Sequence, residues 1–238
     1  MVTAIGASAF RGNQTITAVT VPNGVSYIGT YAFLECSNIE SVSIPASVKS
    51  VGLTILGKTK WLAAQTDTFV TVGDGVLIKI NSKDSTITVP SGVKYVSNVF
   101  YYIATVNTVK LPDTVWGVGD LAFAVCVNLN SIELPASVTT LGDGMIYQCD
   151  KLSSIVTPAG STAAKWSPAE IRNERDAGYA PRGVRAKRGT RQKGYAPKGV
   201  RGLLKKAWRK LCNRESFSGR TAERLRSKGF ARCARTKD

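Results

Sequence analysis

The stretch that decides the fold is Pro22-Asn23-Gly24-Val25-Ser26-Tyr27-Ile28-Gly29-Thr30-Tyr31-Ala32-Phe33-Leu34-Glu35-Cys36-Ser37-Asn38-Ile39-Glu40-Ser41-Val42-Ser43-Ile44, after which Pro45 starts the pattern again. Its residues Pro22, Val25, Ile28, Gly29, Phe33, Cys36, Ile39, Val42 and Ile44 return as Pro112, Val115, Val118, Gly119, Phe123, Cys126, Leu129, Ile132 and Leu134. Prolines fall at 22, 45, 90, 112, 135 and 158, with gaps of 23, 45, 22, 23 and 23. The gap of 45 is two periods with one proline missing. A fixed period in the low twenties is the mark of a solenoid, in which each turn of chain stacks on the next.

The spacing carries its own physics. Ile39-Glu40-Ser41-Val42-Ser43-Ile44 and Leu129-Asn130-Ser131-Ile132-Glu133-Leu134 alternate apolar and polar residues as half-buried strands do. The proline that follows each strand has no N–H for a ladder, so it ends the strand and turns the chain. The glycine marks a second corner and the Phe fills the interior of the turn. One unit cannot bury these residues alone, whereas stacked units can. At a strand spacing of about 4.8 Å, seven turns make a stack on the order of 35 Å long. Phe69-Val70-Thr71-Val72-Gly73-Asp74-Gly75-Val76-Leu77-Ile78 reads as a β-hairpin around a Gly-Asp-Gly turn.

On Ile44-Pro45-Ala46-Ser47-Val48 and Ile28-Gly29-Thr30-Tyr31-Ala32-Phe33-Leu34-Glu35-Cys36 the chain resembles the BspA-like leucine-rich repeats. The resemblance runs from residue 2 to about 166, and the stretch at 69–78 is similar to an insertion that bacterial members carry. It implies a β-rich solenoid with parallel rungs. It also implies a surface or secreted protein of the kind that binds host or matrix proteins. Leu56 and Ile146 depart from the pattern at the Phe slot. The unit after Pro90 is one residue short, with Ser97 in the glycine slot. Val2-Thr3-Ala4-Ile5-Gly6 is already mid-unit, with no charged leader or apolar signal region before it. The chain is therefore expected to be a fragment, an incomplete gene model, or a solenoid whose first rung is unprotected. With a signal peptide upstream it would be surface or secreted; without one, intracellular. No run of some 20 apolar residues is present to span a membrane. Residues 158–164 are similar to the family's closing segment, and Trp166 is placed to cover the last rung.

The 238 residues carry a formal charge of +16 and no histidine. Without histidine there is no Ser-His-Asp or Cys-His nucleophile pair, no His-ligated zinc and no imidazole base. The charge is unevenly spread. Residues 1–164 hold 9 Lys and Arg against 10 Asp and Glu, a net of −1; residues 165–238 hold 23 against 6, a net of +17. Two domains follow: a solenoid over 1–165 with a hairpin insertion near 69–80, and a basic, partly helical or disordered tail over 166–238.

Three motifs invite a sharper reading. Gly52-Leu53-Thr54-Ile55-Leu56-Gly57-Lys58-Thr59 satisfies the Walker A pattern. Its glycine is the repeat glycine, however, and its Leu and Ile suit a solenoid interior better than a phosphate cradle. Cys36, Cys126 and Cys149 share one slot, seven residues after Gly29, Gly119 and Gly142. They read as buried thiols packing as small hydrophobes, with a Cys126–Cys149 disulfide open because adjacent rungs lie about 5 Å apart. Cys212 and Cys233 fall in the basic region and are expected to be exposed. Thr20, Ser43, Thr88, Lys110 and Glu133 centre their strands and should form one column on the exposed face. Lys110 and Glu133 are placed to pair across neighbouring rungs. That face is either a protein-binding surface or plain solvated surface.

In the tail, Gly178-Tyr179-Ala180-Pro181-Arg182-Gly183-Val184-Arg185 returns as Gly194-Tyr195-Ala196-Pro197-Lys198-Gly199-Val200-Arg201. Tyrosines among Arg182, Arg185, Lys187, Arg188, Arg191, Lys198 and Arg201 suit an anionic polymer, because cations neutralise phosphates while rings stack on bases. Leu203, Leu204, Ala207, Trp208 and Leu211 recur at helical spacing amid Lys205, Lys206, Arg209 and Lys210, and a second helix is expected over 220–228. Residues 166–171 and 219–226 resemble pieces of Myb-like helix-turn-helix domains, although most leucines of a three-helix core are absent. The tail reads as a nucleic-acid or polyanion binder, a membrane-surface segment, a disordered stretch, or a product of a frame error. The function expected is non-enzymatic: protein or glycan contact of adhesion type through the solenoid face, with no catalytic residues, cofactor or metal. The alternative is polyanion binding by the tail with the solenoid as scaffold.

Overall fold

The computed structural model describes residues 2–165. Trp166 and every feature expected in the basic tail lie outside the described residues. The rest is a β-solenoid of about seven turns with a repeat spacing of about 23 residues. We number the turns by the residue in the Phe slot: Phe10, Phe33, Leu56, the hairpin as the fourth, Phe100, Phe123 and Ile146.

Each regular turn contributes two short parallel strands. The front strands are Ala18–Thr20, Ser41–Ser43, Thr86–Thr88, Thr108–Lys110, Ser131–Glu133 and Ser154–Val156. Their registers are those of a repeat stacked on itself, with Val109 beside Ile132 and Ile132 beside Ile155. The side strands form two further ladders past the proline corner, Ala4–Ile5, Tyr27–Ile28 and Ser50–Val51 in one, and Tyr95–Val96, Gly117–Val118 and Thr140–Leu141 in the other. They are only two residues long because proline limits one end and the glycine corner the other.

The core is columnar. Val25, Ile28, Ile39 and their counterparts Val115, Val118 and Leu129 are fully buried. Phe10 stacks on Phe33 with centroids 5.2 Å apart, and Phe100 on Phe123 at 5.0 Å. At the glycine corner one turn runs against the backbone of the turn before. A Cβ on Gly142 would overlap Gly119 and the Asp120 amide, which is why the slot takes glycine. Ser97 fills that slot in the short fifth turn, where its hydroxyl donates to the Leu77 carbonyl at 2.7 Å.

The cysteine slot works as a turn-to-turn bond. The Cys36 thiol donates to the Phe10 carbonyl at 2.9 Å, Cys126 to Phe100 at 2.9 Å, and Cys149 to Phe123 at 3.0 Å. All three are buried and free, so the buried-thiol reading holds and the Cys126–Cys149 disulfide does not form. Burial pushes the Cys126 and Cys149 thiols up to about 12.

The missing proline is explained by the hairpin. Strands Phe69–Val72 and Val76–Ile80 pair antiparallel around Gly73 and Gly75, both with positive φ as such a turn requires. The second hairpin strand begins the side ladder of the later turns, Val76 beside Tyr95 and Leu77 beside Val96, and so supplies the fourth turn's side strand without pairing to Ser50–Val51. Asp74 at the tip locks the graft. Its amide donates to the Val48 carbonyl at 3.0 Å, and its carboxylate receives Lys49 and Lys94, each at 2.8 Å. The third turn adds nothing to the front ladder, and the fourth supplies Thr86–Thr88 after the hairpin: among the described strands, Ser41–Ser43 pairs only with Ala18–Thr20. Beside it the chain forms the helix Lys60–Ala64 instead, with the Trp61 amide donating to the Ile39 carbonyl at 2.8 Å.

Phe123→Ala removes a fully buried ring flanked by two turns and is expected to lower stability by about 3–5 kcal/mol in urea denaturation. In the native protein, Cys36, Cys126 and Cys149 should resist iodoacetamide at pH 8 and react fully in denaturant. Peptide mapping after alkylation reads this, and prompt native labelling of Cys126 would contradict the buried thiol ladder.

Candidate binding surface

The Walker A match is a structural segment. The Lys58 ammonium lies 2.6 Å from a Glu35 carboxylate oxygen. The Thr59 hydroxyl is buried, donates to the Leu56 carbonyl at 2.8 Å and accepts from the Leu62 amide at 3.1 Å as the cap of the five-residue helix. Leu56 is itself buried in the Phe column. Lysine and hydroxyl are both committed to holding turns together, leaving neither for a nucleotide.

The polar strand residues divide into two columns where one was expected. Thr20 lies beside Ser43, and Thr88, Lys110 and Glu133 follow in a second series ending at Val156. The break between Ser43 and Thr88 is where helix and hairpin replace a front strand. Lys110 pairs with Glu133 at 2.9 Å, both about half exposed, an arrangement worth a few tenths of a kcal/mol (about 0.2–1). The remaining outward residues, such as Thr86, Thr108, Ser131 and Ser154, are small. This face offers little area to a partner.

Aromatic groups gather elsewhere. On the loop side, Tyr31, Tyr101, Val125 and Tyr147 pack around the buried Leu53, Leu121 and Ala124. Tyr101 sits at the centre, 6.4 Å from Tyr102 between ring centroids. Burial pushes its hydroxyl up to about 12, and the neighbouring Tyr31, Tyr102 and Tyr147 add to the rise. The Arg11 guanidinium lies 5.7 Å over the Tyr31 ring and also meets Glu35 at 3.5 Å. A smaller aromatic group lies on the side ladder. The Tyr95 ring covers Gly117, where a Cβ would come within 2.9 Å of it, and tilts against Trp116 at 5.3 Å. Asp120 lies nearby, its pKa raised by burial although its carboxylate accepts from the Asp143 amide at 2.8 Å. Sequence reading passed over these tyrosines because no slot carries one in most turns: Tyr101 and Tyr147 follow the Phe slot, while Tyr31 and Tyr102 lie two residues before and after it. Their signal was composition: four tyrosines adjoin the glycine or Phe slot or lie one residue beyond it.

Among the described residues there is no group of three or more Cys, Asp or Glu placed to hold a metal, and no helix long and apolar enough to cross a membrane.

The family model for the BspA type leucine rich repeat region matches residues 3–96 and 71–167, in six copies. The chain belongs to this family. Among solved structures, the chain is similar to a leucine rich cell surface protein from Faecalibacterium prausnitzii A2-165, at 20% identity over 68% of this chain and 65% of that one, with TM-score 0.28. It is similar to the pneumococcal vaccine antigen PcpA at 22% identity, over 65% and 48% of the two chains, with TM-score 0.38. It is similar to the T. pallidum leucine rich repeat protein at 22% identity, over 75% and 78%, with TM-score 0.32. The chain thus spans 65% and 48% of the length of the first two. No curated protein matches it.

Two outcomes test the electrostatics. Asp120 has a folded pKa above its unfolded one, so its ionised form costs stability at every pH above both values. Asp120→Asn should therefore be more stable than the native chain at pH 7, and the gain should vanish below the carboxylate range. A gain that persists at pH 2–3 in thermal melts would point to another cause. A Lys110/Glu133 double-mutant cycle should give a coupling of about 0.2–1 kcal/mol that falls with added salt.

Proposed function

We propose that this BspA-type repeat protein is non-enzymatic and binds a protein partner, in an adhesion-type contact, through the tyrosine-rich loop side of its solenoid. The observation that carries this reading is the cluster of Tyr31, Tyr101, Tyr102 and Tyr147 around a buried apolar patch. Tyrosine supplies large contact area at small conformational cost, and with Trp and Arg it dominates binding hot spots. Arg11 stands at the rim of the same surface, over Tyr31. The front strand face, with Thr20, Ser43, Thr88, Lys110 and Glu133, is then a supporting rim at most. The repeat's constant slots are filled by apolar residues, glycine, proline and thiols with committed hydrogen bonds, a composition that suits scaffold better than catalysis.

A panel of purified matrix proteins on a biosensor surface tests this. The full chain is expected to bind at least one saturably. Tyr31→Ala combined with Tyr147→Ala should weaken that binding at least tenfold, while Thr20→Ala and Ser43→Ala leave it unchanged. Binding that survives the tyrosine pair and is lost with the strand residues would move the site to the front face.

One observation favours a second activity in the same chain: residues 165–238 carry a net charge of +17 against −1 for the remainder. We infer that Arg182, Arg185, Lys187, Arg188, Arg191, Lys198, Arg201, Lys205, Lys206, Arg209 and Lys210 give this segment affinity for nucleic acid or another polyanion. Affinity for duplex DNA should fall steeply between 50 and 200 mM salt and disappear on deletion of residues 166–238. A salt-independent affinity, or one retained by the deletion, would contradict it.

A further inference from the structure

The hairpin that begins the later side ladder leaves a gap on the loop side. After Val76–Ile80 the chain returns by residues 81–85 to the front strand Thr86–Thr88, so the fourth turn has no Phe-slot residue. The third and fifth turns therefore face each other directly. The Asn98 side chain accepts from the Thr54 amide at 3.1 Å and donates to the Thr54 hydroxyl at 2.9 Å, bridging residues 44 apart in sequence. Behind this bridge lies a cavity of about 260 Å³. Leu56, Ile78, Ile80, Val99 and Tyr101 are among its walls. The buried core divides at the same place, with Leu56 in the N-terminal cluster and Phe100 in the C-terminal one.

The backbone around the gap has a polarity of its own. In regular turns the Phe-slot amide donates to the next turn: Phe10 to Ala32, Phe33 to Ile55, Phe100 to Ala122 and Phe123 to Met145. The Leu56 amide should meet the fourth turn in the same way, and that turn offers no carbonyl here. Conversely, the carbonyl before the Phe slot accepts from the turn before, as at Ala32, Ile55, Ala122 and Met145. Its counterpart in the fifth turn is Val99. Among the described residues no acceptor meets the Leu56 amide and no donor meets the Val99 carbonyl. Both residues line the cavity, and Leu56 is buried. Apart from the Tyr101 hydroxyl, the side-chain polar groups there are already committed. Lys79 donates to the Leu62 and Gln65 carbonyls at 3.0 and 2.7 Å, Ser97 donates to the Leu77 carbonyl, and Asn98 is engaged with Thr54.

We propose that this cavity binds a small, neutral, ring-bearing molecule whose acceptor meets the Leu56 amide and whose donor meets the Val99 carbonyl. A primary aromatic amide has that chemistry: its ring packs among Leu56, Ile78, Ile80 and Tyr101, and its amide takes the place of the absent peptide group. The Leu56 amide is buried and unpaired, which is costly, so a ligand that satisfies it and the half-buried Val99 carbonyl gains more than one that only fills volume. The site shares Tyr101 with the protein-binding surface proposed above, while Tyr31 and Tyr147 do not line it.

Benzamide, benzoate and toluene test this on the full chain, with the Leu56 amide and the Ile78 and Ile80 methyls followed by NMR. Benzamide should shift these signals saturably, and toluene and benzoate should bind at least tenfold more weakly, the first lacking the polar pair and the second lacking an N–H for the Val99 carbonyl, with the Lys79 ammonium in the wall already holding two carbonyls. Leu56→Phe, which restores the column's usual residue, should abolish benzamide binding while keeping the native amide spectrum. No saturable shift with benzamide, or equal affinity for all three probes, would overturn the proposal, and both results are read on the unmodified protein whether or not the variant folds. Tyr31→Ala with Tyr147→Ala should leave benzamide binding unchanged, which separates a failure here from a failure of the surface reading.

Discussion

A turn of this chain has no interior of its own, and everything else follows from that constraint. The residues of one turn are buried only because the same slot of the next turn lies against them. Phe33 needs Phe10, Cys126 needs the Phe100 carbonyl, and the corner glycine needs the backbone it nearly touches. Slots that face a neighbouring turn are thereby fixed in type, and slots that face solvent are free to vary. Stability and recognition are written in different columns of the same repeat.

The insertion shows how far that constraint bends. The hairpin's second strand runs parallel to and in register with the fifth turn's side strand, and on its other side the join to the third turn rests on the Asp74 tip, held by Val48, Lys49 and Lys94. It cannot fill the Phe column, since its residues are spent on the antiparallel return. The Phe column is therefore cut between Leu56 and Phe100, and the front ladder is cut between Ser43 and Thr88, where the third turn forms a helix. The same economy of residues produces the helix Lys60–Ala64, the Thr54–Asn98 bridge and the cavity behind it.

Most of the fold was legible in the sequence, because slot-by-slot identity 22 or 23 residues apart translates directly into parallel register. The hairpin was legible for the same kind of local reason, two glycines around an aspartate between apolar strands. The division of the strand face was not, since periodicity reports what recurs within turns and is silent about which turns touch across an insertion. The tyrosine cluster was missed because only Tyr101 and Tyr147 share a slot, Tyr31 and Tyr102 lie at other offsets, and the four meet only once the turns are stacked. The thiols were recognised as buried, while their acceptors, the Phe carbonyls one turn back, depend on a stacking offset that no single unit displays. The Walker A letters carried no weight once Lys58 and Thr59 were seen to serve Glu35 and Leu56. The readings of residues 166–238 rest on composition and charge alone.

The central claim is that stability passes from turn to turn through the Phe, Cys and Gly slots, with one interruption at the hairpin. Native-state hydrogen exchange resolved to single amides tests it most directly. The account predicts strong protection at Phe33 and Phe123, and at Gly52 and Gly142, whose amides donate to the neighbouring turn at 2.7–2.9 Å. It predicts a marked dip at Leu56, in the middle of the stack. Protection confined to the short strands, or a Leu56 amide as protected as Phe33 and Phe123, would contradict it.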